Sequence, residues 1–105
     1  MKRITSAILI TAAIAAGSVV AAKPTAHYTG DKLASAAHVT IDQARQTALK
    51  AHPGVITDQE LEKEAGGSGL RYSFDIKAAG KTYEVGVDAQ TGKVLENAAE
   101  GAHPD

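Results

Sequence analysis

The stretch 83–95, YEVGVDAQTGKVL, decides the fold because it predicts a strand, a tight turn and the start of a second strand. From residue 83 to 88, apolar residues alternate with polar residues or glycine, a period of two that turns one face toward a core and the other toward water. Asp88 opens the turn, where its carboxylate can accept hydrogen bonds from backbone N–H groups just beyond it. Gly92 fits the left-handed position that closes a short hairpin.

Two segments upstream extend this pattern. The segment 70–77, LRYSFDIK, alternates strictly between apolar and polar residues, so it predicts a half-buried strand. The segment 55–64 is an acidic strand, with Val55, Thr57, Gln59 and Leu61 expected on one face and Asp58, Glu60, Glu62 and Glu64 on the other. Residues 65–69 and 78–80 contain glycine and reverse the chain. The sequence therefore predicts an antiparallel meander of roughly three or four strands.

A helix is predicted ahead of the meander, between Thr40 and Pro53. Thr40 and Gln43 fit a capping box, in which each side chain accepts a hydrogen bond from the other residue's backbone N–H. Pro53 ends the helix because the residue before a proline disfavours helical geometry, and Gly54 adds a second stop. The apolar stripe is made of small residues, so the helix should lie flat against the sheet. The predicted fold class is α+β, with one N-terminal helix packed on an antiparallel β-meander.

Taken together, these features resemble a PepSY domain over residues 40–97. The residues that carry the resemblance are Ile41, Ala44, Ala48, Pro53, Gly54, Tyr72, Phe74, Ile76, Tyr83, Val85, Val87, Asp88, Thr91, Gly92 and Val94. The resemblance implies a helix on an antiparallel sheet and a non-catalytic module. Domains of this family occur in propeptides of thermolysin-like metallopeptidases, in membrane proteins and as lone secreted domains, and control of proteolysis has been proposed for them.

The ends of the chain predict export and flexibility. Residues 1–22 have the basic start, apolar run and small final residues of a secretory signal, which we expect to be cleaved before Lys23. The alternative is an uncleaved membrane anchor, for which the apolar run is near the lower length limit. Residues 23–39 predict a flexible leader, with no more than a weak helical turn, and residues 98–105 predict a flexible tail. The predicted localisation is secreted or periplasmic.

Composition excludes several kinds of partner and site. Without Lys2 and Arg3 the chain keeps nine Lys and Arg residues against twelve Asp and Glu residues, a net charge of −3. It shows no basic patch, so we expect no nucleic-acid partner, and membrane contact only if the signal is retained. There is no cysteine, which excludes disulfides and thiolate zinc sites.

No catalytic residue, cofactor or metal site is predicted. The four histidines, which form no metal-binding motif and are interpreted as structural or solvated, are His27, His38, His52 and His103. Ser73 has no histidine and aspartate placed to activate it, and residues 66–69 lack the lysine of a phosphate-binding loop. Tyr72 and Tyr83 fall on the apolar faces of their strands, which favours core packing over recognition.

The polar surface of the sheet remains as the candidate for function. An acidic strand can bind cations, but a solvated edge whose charges prevent aggregation is the favoured interpretation. The candidate interaction surface consists of Asp58, Glu60, Glu62, Arg71, Asp75, Lys77 and Glu84. We therefore hypothesise a binding or regulatory module for a protein partner, with a secreted or periplasmic peptidase as the candidate. The alternative is a weak cation-binding or envelope-stress protein that uses residues 58–64.

Overall fold

The computed structural model describes residues 27–101, and the signal predicted at residues 1–22 lies outside that range. After a 3-10 helix at Asp31–Ala36, the chain forms helix α1 (Ile41–Ala51) and strands β1 (Val55–Lys63), β2 (Leu70–Ala78), β3 (Lys81–Asp88) and β4 (Val94–Ala99). The four strands form one antiparallel sheet in the order β1-β2-β3-β4. This is the predicted meander, and with α1 packed on it the α+β fold class is confirmed.

The boundaries of α1 follow from the residues predicted to set them. The Gln43 N–H donates to Thr40 Oγ1 at 3.1 Å, and the Thr40 N–H donates to Gln43 Oε1 at 2.9 Å, which completes the capping box. At the other end the His52 N–H donates to the Ala48 carbonyl at 2.8 Å, and Pro53 follows outside the helix. Both helix signals in the sequence are confirmed.

One face of the sheet and the small-residue stripe of α1 enclose the core. The stripe consists of Ile41, Ala44 and Ala48, which are all buried. Because alanine side chains are small, the helix approaches the sheet closely, as the stripe of small residues predicts. The strands contribute Leu61, Leu70, Tyr72, Phe74, Ile76, Val85 and Val87 to the same cluster. The other face of the sheet is therefore free of the helix.

β1 contains a β-bulge that its alternation did not predict. The register against β2 shifts between Ile56 and Asp58, which leaves Thr57 as the extra residue. A bulge reverses the facing of the residues upstream of it. Accordingly, Ile56 packs against the core while Val55 is 65% exposed. The expectation that Val55 and Thr57 share the inner face with Leu61 is wrong.

The turn between β3 and β4 has the predicted geometry. The Asp88 carboxylate accepts from the Gln90 N–H at 2.8 Å and from the Thr91 N–H at 3.1 Å. Gly92 has a φ of 81°, the left-handed conformation that glycine adopts without strain. Its N–H donates to the Asp88 carbonyl at 2.9 Å, which closes the turn.

Both ends of the domain are more ordered than the sequence predicted. In the predicted leader, Thr29 forms an isolated parallel bridge with Glu60, while Tyr28 and Leu33 pack against the core. In the predicted tail, β4 continues through Ala98 and Ala99, which pair with β3. Contacts with distant strands thus order both segments. Within residues 27–101, no helix is long and apolar enough to span a membrane.

Candidate functional site

The face of the sheet turned away from α1 is acidic. The register places Asp58 opposite Asp75, and Asp75 opposite Glu84, so carboxylates from adjacent strands form a row. Like charges directly opposite each other destabilise a sheet. The row is therefore not explained by folding energetics, which marks this outer face as the candidate binding surface.

Part of the row forms a compact cluster with the chain just after β4. Carboxylate oxygens of Asp75, Glu84 and Glu100 lie within 4.8 Å of one another. Burial, and after it repulsion from Glu96 and the other nearby carboxylates, raises the pKa of Glu84 above its ordinary value of 4.5. A cleft of about 250 Å³ at this position is lined by Asp58, Glu60, Ser73, Asp75, Glu84 and Glu100. Grouped carboxylates of this kind suit a hard cation or a cationic side chain as ligand.

Ser73 lies within this acidic face and is 6% exposed. Its hydroxyl donates to Glu62 Oε2 at 2.8 Å. A hydroxyl that donates to a carboxylate on the neighbouring strand orients that carboxylate. The Ser73 hydroxyl is thus engaged with a carboxylate, and the interpretation of Ser73 as a residue other than a nucleophile stays a prediction.

Arg71 lies on the predicted face but is buried, with 7% exposure. Its Nη1 donates to Glu96 Oε1 at 3.2 Å and its Nη2 to the Ala65 carbonyl at 3.1 Å. The side chain passes over Gly86, where a Cβ atom would lie 3.0 Å from Nη1. The expectation that Arg71 is exposed to a partner is wrong, because the loop after β1 and a carboxylate of β4 enclose its guanidinium.

The remaining predicted surface residues are accessible. Asp58 and Lys77 are exposed, while Glu60, Glu62, Asp75 and Glu84 are half-buried. With Arg71 enclosed, Lys77 is the accessible cation of the predicted set. The surface offered to a partner thus carries a strong excess of negative charge.

The described histidines are separate from the acidic cluster. His27 Nδ1 lies 2.8 Å from Asp31 Oδ2, and His38 is exposed. The His52 ring stacks on Tyr83 with centroids 3.8 Å apart, and its Nδ1 lies 3.1 Å from Asn97 Oδ1. The contacts of His27 thus lie in the predicted leader and those of His52 at the end of α1, away from the acidic cluster. His103 lies outside the described residues.

Tyr72 belongs to the core, as its strand face predicted. It is 1% exposed, and its hydroxyl donates to the Val39 carbonyl at 2.6 Å. Burial, reinforced by the nearby Tyr28, raises the pKa of Tyr72 to about 12. Tyr83 is half-buried beneath the His52 ring.

Glu96 and Glu100 are members of the acidic face that the sequence reasoning missed. The sequence pattern predicts only the start of this strand, up to Leu95, and a flexible tail at residues 98–105. Hairpin register alone does not find Glu96, because unshifted pairing back from Val87 and Val94 would set it opposite Val85. The register shift between Gly86 and Val87 places it opposite Gly86 instead. Glu100 donates its backbone N–H to the Thr82 carbonyl at 2.9 Å, which holds the chain against β3 beyond β4.

Comparison with known proteins adds one finding. A family model described as "Peptidase propeptide and YPEB domain", PepSY, matches residues 39–97. The matched range contains α1 and the whole sheet up to Asn97, and it leaves out the 3-10 helix. No curated protein and no solved structure matches the chain.

Proposed function

Since the chain belongs to the PepSY family, we propose that it is an exported, non-catalytic module that binds a protein partner and regulates a secreted or periplasmic peptidase. The family supports this class of function because its description links the domain to peptidase propeptides. The side-chain contact of Ser73, which is to a carboxylate rather than to a histidine, supports the non-catalytic part. The sequence pattern of residues 1–22 supports export.

The acidic outer face is the observation that carries the proposal for partner binding. Asp58, Glu60, Asp75 and Glu84 lie on three adjacent paired strands, which fix the spacing of their backbone positions before any partner arrives. Complementary charge mainly increases the rate of association and selects the partner. The partner surface that fits this face is therefore basic, with lysine or arginine side chains that reach the cleft across β1, β2 and β3.

The decisive experiment incubates the exported chain with a panel of secreted and periplasmic peptidases. We expect the chain to change the activity of at least one of them, and to cleave neither peptide nor ester substrates alone. The double variant Asp58→Asn and Glu60→Gln should slow association and flatten its dependence on salt, with little change in melting temperature. Glu62 stays unchanged because it accepts the Ser73 hydrogen bond.

Asp42→Asn is the matched control, because Asp42 is an exposed carboxylate on α1 rather than on the outer face. It should leave association unchanged. Turnover by the chain alone, lost in a single-residue variant, would contradict the non-catalytic assignment. Absence of any effect across the panel would remove the peptidase as partner.

A second candidate function is weak cation binding, which the grouping of Asp75, Glu84 and Glu100 favours. The sequence predicted a cation site at residues 58–64, whereas this group of carboxylates lies in the middle of the outer face. Titration calorimetry with Ca²⁺, Zn²⁺ and Cu²⁺ tests it. Binding that is lost in Glu84→Gln and kept in Glu64→Gln would favour this function over protein binding.

A further inference from the structure

The segment 27–38, called the strap below, crosses the outer edge of β1. β1 is an edge strand of the sheet. Thr29 forms a parallel bridge with Glu60, and the Leu61 N–H donates to the Thr29 carbonyl at 2.9 Å. An edge strand presents unpaired backbone groups that can pair with an additional strand. At Thr29, just before its 3-10 helix, the strap shows that the β1 edge accepts backbone pairing in parallel orientation.

Gly30 sets how closely the strap approaches this edge. It has a φ of 84°, and a Cβ atom at this position would lie 1.8 Å from the Leu61 carbonyl oxygen. No side chain can be accommodated there without moving the strap away from β1. The groove along the edge therefore selects a segment with glycine at this point.

The strap is less buried than the strands that it crosses. Tyr28, Leu33 and Ala37 pack against the core but are only half-buried, and no residue of the 3-10 helix at Asp31–Ala36 is buried. At its far end the Ala36 carbonyl accepts from Gln90 Nε2 at 2.6 Å, and the His38 N–H donates to the Ala89 carbonyl at 3.0 Å. Segments with little buried apolar area and exposed hydrogen bonds open at a lower free-energy cost than the core. The strap can therefore leave the edge while the sheet remains folded.

The edge of β1 continues beyond the part that the strap covers. Among residues 27–101, a cleft of about 410 Å³ lies beside Thr29, and its lining includes Tyr28, Arg45, Ile56 and Gln59. Arg45 Nη1 donates to Gln59 Oε1 at 2.6 Å and forms the helix-side wall. The cleft and the strap position form one continuous groove between α1 and the edge of the sheet.

We propose that this groove is a docking site for a segment of a partner protein that pairs in parallel with β1 and then forms a helical turn, and that the strap is its internal occupant. We expect the partner segment to resemble the strap in sequence. It would carry an aromatic residue at the position of Tyr28, glycine at the position of Gly30 and an aliphatic residue at the position of Leu33. Addition of a strand to a sheet edge is a common mode of peptide recognition. The inference deepens the proposed protein-binding function and rests on it.

The absence of cysteine from the chain allows a clean test by a disulfide. Paired strands lie about 4.8 Å apart, within the roughly 4.4–6.8 Å that a disulfide spans between Cα atoms. Thr29→Cys with Glu60→Cys should therefore lock the strap onto β1. Gly30→Val should release it. Gly80→Val is the matched control, because Gly80 also has a positive φ, 77°, but lies in the β2–β3 turn with open space around it.

The probe is a fluorescein-labelled synthetic peptide with the strap sequence, HYTGDKLASAAH, and binding to the full exported chain is measured by fluorescence polarisation. A strap that is closed most of the time lowers the apparent affinity in proportion to the open fraction. We expect Gly30→Val to bind the peptide at least about tenfold more tightly than the wild type and Gly80→Val. The oxidised double-cysteine variant should not bind, and reduction should restore wild-type binding.

Equal affinity for the wild-type, released and locked forms would overturn the inference, as would no binding to a folded Gly30→Val chain. If Gly30→Val loses its far-UV circular dichroism, Tyr28→Ala replaces it with the same expected gain. A peptide with valine in place of the glycine should not bind to any form, and binding of that peptide would also refute the proposed selection.

The same locked variant separates this inference from the proposed function. If a peptidase is affected equally by the oxidised and the reduced form, the groove is not the docking site and the regulatory function stands. If the peptide binds in the predicted order but no peptidase responds, the docking groove stands and the peptidase proposal fails.

Discussion

At the scale of single residues, Asp88 joins two loops that are distant in sequence. Its carboxylate accepts from the Ser68 N–H at 2.7 Å and from the Ser68 hydroxyl at 2.8 Å, in addition to the donors within its own turn. The residue is 1% exposed. Burial alone would raise the pKa of Asp88, but the hydrogen bonds from Ser68, Gln90 and Thr91 outweigh it and lower the pKa to about 2.

We predict that Asp88→Ala lowers the free energy of unfolding by about 2–4 kcal/mol, because several donors lose a charged acceptor at once. This exceeds the roughly 1 kcal/mol expected for a single local hydrogen bond. Urea denaturation of the variant and of Glu64→Ala, an exposed carboxylate just after β1, measures the difference. A loss no larger than that of Glu64→Ala would show that the Ser68 contacts contribute nothing to stability.

The same residue predicts how stability depends on pH. Because the pKa of Asp88 is lower in the folded chain than its ordinary value of 3.8, the ionised carboxylate stabilises the fold above that pH. The contribution is lost as the pH falls from 3.8 to about 2. Asp88→Asn should therefore show a flatter loss of melting temperature across this window than the wild type.

The turn at Asp88 also shows what a sequence reveals at this scale. Its bonds to Gln90 and Thr91 are local, so a short carboxylate followed by a glycine predicts them. The bonds to Ser68 and the enclosure of Arg71 could not be predicted, because they depend on how the loop 65–69 folds over the sheet. Local backbone geometry is encoded in neighbouring residues, whereas burial of a polar side chain depends on distant ones.

At the scale of elements, β1 shows the limit of periodicity. Alternation predicted the strand and the facing of Leu61, but the bulge at Thr57 reversed the upstream half. Ahead of α1, the strap has no periodicity of its own, and pairing with Glu60 and Leu61 orders it. Elements that bury one face of their own against the core could be predicted from periodicity. Segments that are ordered only by pairing with the edge of a sheet could not.

The acidic row across β2 and β3 leads to a prediction of increased stability. Because the pKa of Glu84 is raised in the folded chain, the folded state holds its proton more tightly, and ionisation costs stability as the pH rises past 4.5. Glu84→Gln should therefore raise the melting temperature at pH 7, corresponding to about 0.5 kcal/mol for relieved repulsion in a solvent-screened row. The gain should disappear below pH 4 and shrink in high salt.

Scanning calorimetry at both pH values checks this, with Glu64→Gln as the control because Glu64 is exposed and outside the cluster. A lower melting temperature for Glu84→Gln at pH 7 would mean that the carboxylate makes a stabilising contact in the free protein. A higher melting temperature would mean that repulsion among these carboxylates destabilises the free protein. Such repulsion is expected of a surface that binds a cationic ligand.

At the scale of the whole molecule, the surfaces proposed for binding depend on a small core without covalent support. The chain contains no cysteine and a single phenylalanine. That residue, Phe74, is 0% exposed on a central strand, and its ring lies 6.3 Å from that of Tyr72. A domain of this size has a narrow stability margin, so one core side chain carries a large share of it.

Phe74→Ala should therefore cost about 3–5 kcal/mol, from the lost transfer of the ring out of water and from the cavity that remains. This is comparable to the total stability of a small domain. Val55→Ala is the matched control, because Val55 is 65% exposed and its truncation should change stability by less than about 0.5 kcal/mol. Urea denaturation followed by far-UV circular dichroism measures both. A Phe74→Ala chain that unfolds at nearly the wild-type urea concentration would mean that α1 and the sheet do not enclose this ring. The outer face and the β1 groove would then lack the rigid support on which both binding proposals depend.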